Sequence, residues 1–338
     1  MYSPCLNQKT QIMKNRLKNF VLIGCCLLTA CSATTKKKEQ KENKEITASQ
    51  IVTADVETNT NTINEFPFPE IPLLYQEPEQ RAKYLIEHYW DNINFVDTTL
   101  NYNSEMIEQA WVDYIDLNTK FNLESRNDNF IALTQRINQG NERFQKIYLN
   151  LVTDYLYNHN SPMRNELFYI TIGEELLKND NLDIAIAERL KFRIDLAYRN
   201  RVGTKAIDFK YTKNEGGKSS LYNTPAEHLI IFFNNPDCNV CASVREQLAN
   251  TPFINEQINK GYLKIMVLYA ESDFEEWITH SDDFPKNWIK AYNETLEISN
   301  NNLYDLQVTP SLYLMDKNKQ VIIKDGAAEE IIHYLQEQ

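Results

Sequence analysis

Between residues 66 and 200 the apolar positions recur three and four apart, the spacing that lines one face of an α-helix. One stripe runs Ala82, Leu85, Ile86, Tyr89, Trp90, Ile93. A second follows the candidate N-cap Ser104 as Met106, Ile107, Ala110, Trp111, Tyr114, Ile115. Phe144, Ile147, Tyr148, Leu151, Val152, Tyr155 make a third, and Leu182, Ile186, Leu190, Ile194 mark the last helix. Ser161-Pro162 fits an N-cap followed by proline at the first helical position. Five or six amphipathic helices packed as a bundle are expected, their stripes forming its core.

Beyond residue 200 the pattern changes. Residues 229–233 (LIIFF) are an apolar run of strand length, and 234–237 (NNPD) are turn residues. Cys238, Cys241, Val244/Arg245 and Leu248 then fall on one helix face, the two sulfurs about one turn apart. Residues 262–269 read as a second buried strand after Gly261. A hairpin follows at 311–315 and 320–323, and a closing helix at 327–338 after Gly326. The segment 270–306 is an insertion rich in aromatics and acids, whose Trp277 and Trp288 are expected to pack in the core or a lid. The predicted class is therefore α + α/β, a helical bundle at 66–200 followed by a sheet domain at 201–338.

The N-terminus carries a different signal. Residues 20–30 (FVLIGCCLLTA) are apolar, too short to span a bilayer as a folded helix, and preceded by Lys14, Arg16 and Lys18. The segment 1–30 reads as a signal peptide. Leu28-Thr29-Ala30-Cys31 resembles a bacterial lipobox, which implies cleavage before Cys31 and lipidation of its thiol. Met13 lies at a normal distance from that site, so the first twelve residues fit an over-extended start. Lys36, Lys37 and Lys38 would meet anionic headgroups. Residues 31–65 hold the lipidated cysteine and a polar tether, a coil of about 34 residues with a reach of roughly 30 Å.

Composition narrows the function. Among 338 residues there are 35 Lys and Arg against 47 Asp and Glu, a net charge of −12 that becomes −16 once the leader's four basic residues are gone. Nucleic-acid binding, which needs a basic footprint, is excluded as the expected role. With 8 Gly and 11 Pro the chain is poor in turn formers, which favours long helices over an all-β fold.

Of six cysteines, Cys5, Cys25 and Cys26 leave with the leader and Cys31 is acylated, so the exported chain keeps Cys238 and Cys241, spaced C-x-x-C. Outside the cytosol such a pair either bonds or works. The histidines are scattered singly without zinc spacing, so no metal site and no cofactor beyond the redox pair is expected. A strand, a turn and a helix opening on Cys238 supply what thiol chemistry requires. Helix N–H groups and the macrodipole favour a thiolate there, and Cys241, deeper in the helix, can resolve a mixed disulfide.

From residue 202 to 338 the chain resembles the thioredoxin-like superfamily, particularly tethered, extracytoplasmic TlpA/ResA-like and AhpC/TSA-like members. Three segments carry the likeness in order: GTKAIDF at 203–209, FFNNPDCNVC at 232–241 and VTPSLYLMD at 308–316. The resemblance implies a central mixed sheet flanked by helices, a cis peptide bond at Pro310 beside the cysteines, and a groove in which Thr309 and Pro310 receive an extended client. Taken alone, Thr309-Pro310 also fits a trans bond opening an edge strand. Phe232 stands where thioredoxins keep a buried Asp, which leaves the proton acceptor of Cys241 unassigned. Asp237, Glu246 and Glu271 are the acids that could modulate the pair, and Asp237 opposes the thiolate that the helix favours. Asn239-Val240 adds no basic group, which points to a reductant or general exchanger. Residues 66–69 (FPFP) through 88–91 (HYWD) resemble a helical family of unknown function that precedes thioredoxin-like modules in bacterial lipoproteins.

The expected function is a membrane-anchored, extracytoplasmic thiol-disulfide oxidoreductase in the cell envelope, facing the periplasm. Its partners would be client protein disulfides or dithiols, a membrane or periplasmic redox donor, and the membrane itself through the lipid on Cys31. The alternative is a tethered binding or assembly lipoprotein in which the pair is a structural disulfide.

Overall fold

The structure, a computed structural model, describes residues 62–121 and 126–338. The leader, Cys31 and the tether up to residue 61 lie outside the described residues. Two compact units emerge, one made of the chain up to Asn129 together with Gln139–Arg164, the other of Phe130–Asn138 together with Asn165–Gln338. The compositional division at 200 falls inside the second unit.

In the first unit β1 (Thr62–Ile63) pairs in parallel with β2 (Asn101–Tyr102), and between them runs α1 (Pro78–His88), which opens on its own proline. Next come α2 (Ser104–Phe121), α3 (Arg126–Asn138) and α4 (Glu142–Val152), the last continued by a π-turn at Thr153–Tyr157. Asn103 rather than Ser104 caps α2. Its Oδ1 accepts the amide N–H groups of Glu105 (2.9 Å) and Met106 (3.4 Å), satisfying donors that the helix cannot. The core of this unit is aromatic: Trp90 meets Tyr114 edge-on at 5.8 Å, and Trp111 meets Tyr148 at 5.3 Å.

The second unit takes Phe130–Asn138 of α3, then α5 (Glu166–Leu176) and α6 (Ile184–Tyr198). Ser161-Pro162 forms a turn, and α5 begins after Asn165, whose side chain accepts from Phe168 N–H. The helix start moved because an Asn placed three residues before a free N–H caps at least as well as a serine. Asp183 caps α6 in the same way. At Gly173 the two helices approach so closely that a Cβ would sit 2.7 Å from Ile194 Cδ1.

The remaining elements in chain order are β3 (Lys210–Lys213), β4 (Lys218–Ser220), β5 (His228–Phe233), α7 (Asn239–Asn250), α8 (Pro252–Asn259) and β6 (Leu263–Tyr269). They are followed by α9 (Phe274–His280), β7 (Ile289–Tyr292), α10 (Glu297–Asn300), β8 (Ser311–Asp316), β9 (Val321–Lys324) and α11 (Ala328–Gln336). Among the described residues the nine strands include a seven-stranded mixed sheet ordered β4-β3-β7-β6-β5-β8-β9, in which β5, β6 and β7 run parallel and β8 runs antiparallel to β5. Alternate residues of β5 serve opposite faces, Ile230 and Phe232 toward α7 and α11, Leu229, Ile231 and Phe233 toward Phe209 and Tyr304. Both faces are covered, which explains the uninterrupted apolar run. The insertion at 270–306 does more than pack. It adds β7 to the sheet and buries Trp277, stacked on Tyr269 at 5.7 Å, together with Trp288.

Lys324 ties β9 to the helices of this unit. Its Nζ donates to the carbonyls of Ala197 (3.0 Å) and Arg199 (2.7 Å) and pairs with Glu166 Oε1 at 2.9 Å. The start of β9 is tied on its outer side: Gly203 N–H donates to Val321 O and Val321 N–H to Thr204 O, and just before the strand Ala206 N–H donates to Lys319 O.

Candidate active site

The antiparallel register of β5 and β8 sets Phe233 opposite Ser311, so the end of one strand and the start of the other meet at the same edge of the sheet. The chain leaves β5 through Asn234, whose N–H still donates to Leu268 O, and turns at 235–237 into α7. Asn235 organises the turn. Its carbonyl accepts Cys238 N–H (3.1 Å), its Oδ1 accepts Asp237 N–H (3.2 Å), and its Nδ2 donates to Glu271 Oε1 (3.1 Å).

Cys238 is the N-cap of α7, in extended backbone, with its carbonyl accepting the helix's first bond from Ala242. The amide N–H of Cys241 points at Cys238 Sγ from 3.1 Å. The two cysteines form a disulfide with their Cα atoms 5.2 Å apart. Cys238 is half-buried, whereas Cys241 is 1% exposed and packs among Phe232, Phe284 and Leu312. Access is therefore unequal, and an incoming thiolate or disulfide can reach only the first sulfur.

The Thr309-Pro310 bond is cis, and the carbonyl oxygen of Thr309 lies 3.5 Å from Cys238 Sγ. The arrangement can hold a thiolate on Cys238: a backbone N–H aims at the sulfur and the positive end of a twelve-residue helix lies beneath it. Around Cys241 the packing is apolar, which disfavours charge on that sulfur.

Residues 30–200, just over half the chain, match a family described as a domain of unknown function, DUF5106. A thioredoxin-like protein from Bacteroides caccae, solved as a crystal structure, is 38% identical, covers 82% of this chain and 99% of its own, and superposes with a TM-score of 0.75. The chain belongs to the DUF5106 family of thioredoxin-like proteins. Shorter matches cover about two fifths of the chain. The C-terminal domain of an uncharacterized Bacteroides fragilis protein is 44% identical over 40% of this chain and 98% of its own (TM-score 0.40). A domain of a possible thiol-disulfide isomerase from Cytophaga hutchinsonii is 25% identical over 41% and 94% (TM-score 0.37). No curated protein matches the chain.

The structure brings Cys238, Cys241, Thr309 and Pro310 together. The acids are placed differently. Asp237 is exposed and its carboxylate makes no hydrogen bond among the described residues, and Glu246 is exposed on α7. Glu271 touches neither sulfur in any hydrogen bond but holds Asn235, so it acts on the turn. Phe232 is fully buried against Cys241, as its apolar type requires. The sequence reading missed Asn235 as an organiser, although an Asn two residues before a turn amide is a recognisable Asx pattern. It also left out the partners of Arg245, the one basic residue of α7, which pairs with Asp283 at 3.3 Å and lies over the Phe284 ring at 5.4 Å. No spacing rule links those positions, since they are joined only by the insertion. Among the described residues no three His, Cys, Asp or Glu side chains gather as a metal site would need.

Proposed function

We propose that this protein is a membrane-anchored, extracytoplasmic thiol-disulfide oxidoreductase, a reductant or general exchanger, acting on protein disulfides through Cys238 and Cys241. The observation that carries this reading is the unequal access of the two sulfurs at a helix N-terminus, the first reachable and the second shielded directly behind it. In the reducing direction the Cys238 thiolate attacks a client disulfide, forming a mixed disulfide and releasing one client sulfur as thiolate. Cys241 then gives its proton to solvent and attacks Cys238 Sγ, releasing the second client thiol. The client gains two electrons and the pair returns to the disulfide, which an external dithiol donor in the envelope must reduce again. Thr309 and Pro310 border the reacting sulfur and would bound the client groove; the helical part would select or dock the client.

Cys241→Ser removes the resolving sulfur, so the mixed disulfide should persist and be seen as a dithiothreitol-sensitive covalent adduct with a disulfide-bearing substrate. Cys238→Ser should give no adduct and abolish insulin reduction. If the Cys241→Ser protein forms no adduct and the wild type leaves insulin intact, the enzymatic reading falls. A second reading, a binding or assembly lipoprotein with a structural disulfide, is favoured by one observation: Phe232 gives Cys241 no buried acid as a proton acceptor. A pair that resists mild dithiol buffers in the folded protein would support it.

A further inference from the structure

A cleft of about 520 Å³ opens in the first unit, between the segment after β1 and the first half of α2. Three aromatic rings form one wall: Phe66 meets Phe68 edge-on at 4.9 Å and Tyr89 at 5.0 Å, and Phe68 meets Tyr89 at 5.7 Å. α2 supplies Glu105 and Asp113 to the lining, and among the described residues no Lys, Arg or His lines the cleft. Each side-chain amide around it has one N–H engaged. Asn64 Nδ2 donates to Thr62 O, Asn103 Nδ2 to Asn64 Oδ1, and Gln109 Nε2 to Asp113 Oδ1 at 2.9 Å. Each of these amides keeps a second N–H, and among the described residues the Glu105 carboxylate, the second oxygen of Asp113 and the carbonyl of Gln109 are unused as acceptors. Tyr89 lines the same cleft, is 1% exposed, and its hydroxyl, a donor as well as an acceptor, has no hydrogen-bond partner among the described residues. Burial pushes the Asp113 carboxyl above its ordinary range, so it stands ready to be stabilised by a positive charge.

We propose that this cleft binds an alkylammonium or guanidinium group, its carbon stem against the Phe66–Phe68–Tyr89 wall and its N–H donors on Asp113 and Glu105. Two carboxylates with no basic side chain among the described lining residues favour a ligand that brings positive charge and N–H donors. The ring faces attract a cation, and the carboxylates repel an anion. The proposal does not depend on the cysteine chemistry.

The test is calorimetric titration of the purified protein with three probes: cadaverine, the N-acetylated tripeptide amide Ala-Lys-Ala, and the same peptide with its lysine Nε-acetylated. The expected result is binding of an ammonium probe at least tenfold tighter than the acetylated peptide. Asp113→Asn and Glu105→Gln should each weaken it about tenfold, and Phe68→Ala, at a half-exposed position that folding tolerates, several-fold. Cys238→Ser should leave it unchanged. Binding of cadaverine alone assigns the site to a free amine, and binding of the lysine peptide assigns it to a basic side chain on a partner protein. Equal affinity for the neutral peptide, indifference to both carboxylate substitutions, or no heat with either ammonium probe overturns the proposal.

Discussion

Replacing Lys324 by methionine keeps the apolar stem and removes a buried ammonium that serves Glu166 and the carbonyls at the end of α6. The Lys324 side chain is 4% exposed and that of Glu166 24%, so water can compensate the carboxylate in part but the carbonyls hardly at all. Removing one member of a buried pair costs about 3–5 kcal/mol. The partial exposure of Glu166 places the expected loss at the lower end, about 3 kcal/mol. For a unit of this size each kcal/mol lowers the melting temperature by about 2–4 °C, giving a fall of roughly 6–12 °C. Urea denaturation followed by circular dichroism should show the midpoint moving with little change in slope. Glu166→Gln alone should cost less, and the double variant should cost less than the sum of the two, because the partners share one interaction. A Lys324→Met protein within about 1 kcal/mol of the wild type would refute the reasoning, since the carbonyls would then have been satisfied by other means.

Other outcomes follow from the same geometry. Asn235→Ala removes the bonds to Asp237 N–H and Glu271, and should slow disulfide exchange while lowering stability by about 1–2 kcal/mol, measured by insulin turnover and urea midpoint. At Gly326 an added Cβ would collide with Ile323 Cγ2 and lie 2.8 Å from Glu330 Oε2, so Gly326→Ala should cost about 1–3 kcal/mol in the same denaturation assay. Because burial raises the Asp113 carboxyl, the folded state holds that proton more tightly than the unfolded one. Its contribution is therefore most favourable below the unfolded carboxyl range near pH 4 and declines as pH rises through the raised folded value. Asp113→Asn should consequently be more stable than the wild type at pH 7, with the advantage disappearing in acid; a constant difference from pH 3 to 7 would contradict this.

Much of the sheet was legible in the sequence because buried strands leave a simple trace. Residues 229–233 were apolar without a break and 262–269 were broken only by Lys264, and both proved to be central strands with two covered faces. The cysteine helix was legible for a related reason, since spacing alone puts Cys238 and Cys241 one turn apart. Helix starts were harder. Asn103 and Asn165 displaced Ser104 and Ser161 as caps, because several short polar side chains crowd each boundary and geometry chooses among them. Strand β7 was hidden because Ile289–Tyr292 is four residues long, only one of them fully buried, and takes its place by pairing with β6 and β3 rather than by its own pattern. Long-range ties such as Lys324 to the end of α6 leave no local signature, since the partners lie more than a hundred residues apart.

The residues before β3 that tie the start of β9 bear on how the molecule behaves in a crowded solution. With Gly203 and Thr204 already bonded to Val321, a neighbouring molecule finds the first residue of that strand taken and only a shorter stretch on which to grow a shared ribbon. Only the three-residue β4 is left at the far edge, and its Lys218 is held by Glu294 at 2.7 Å. Lateral stacking that used the whole of β9 would have to displace the segment at 203–206, so loosening of that segment should lengthen the edge open to a neighbour.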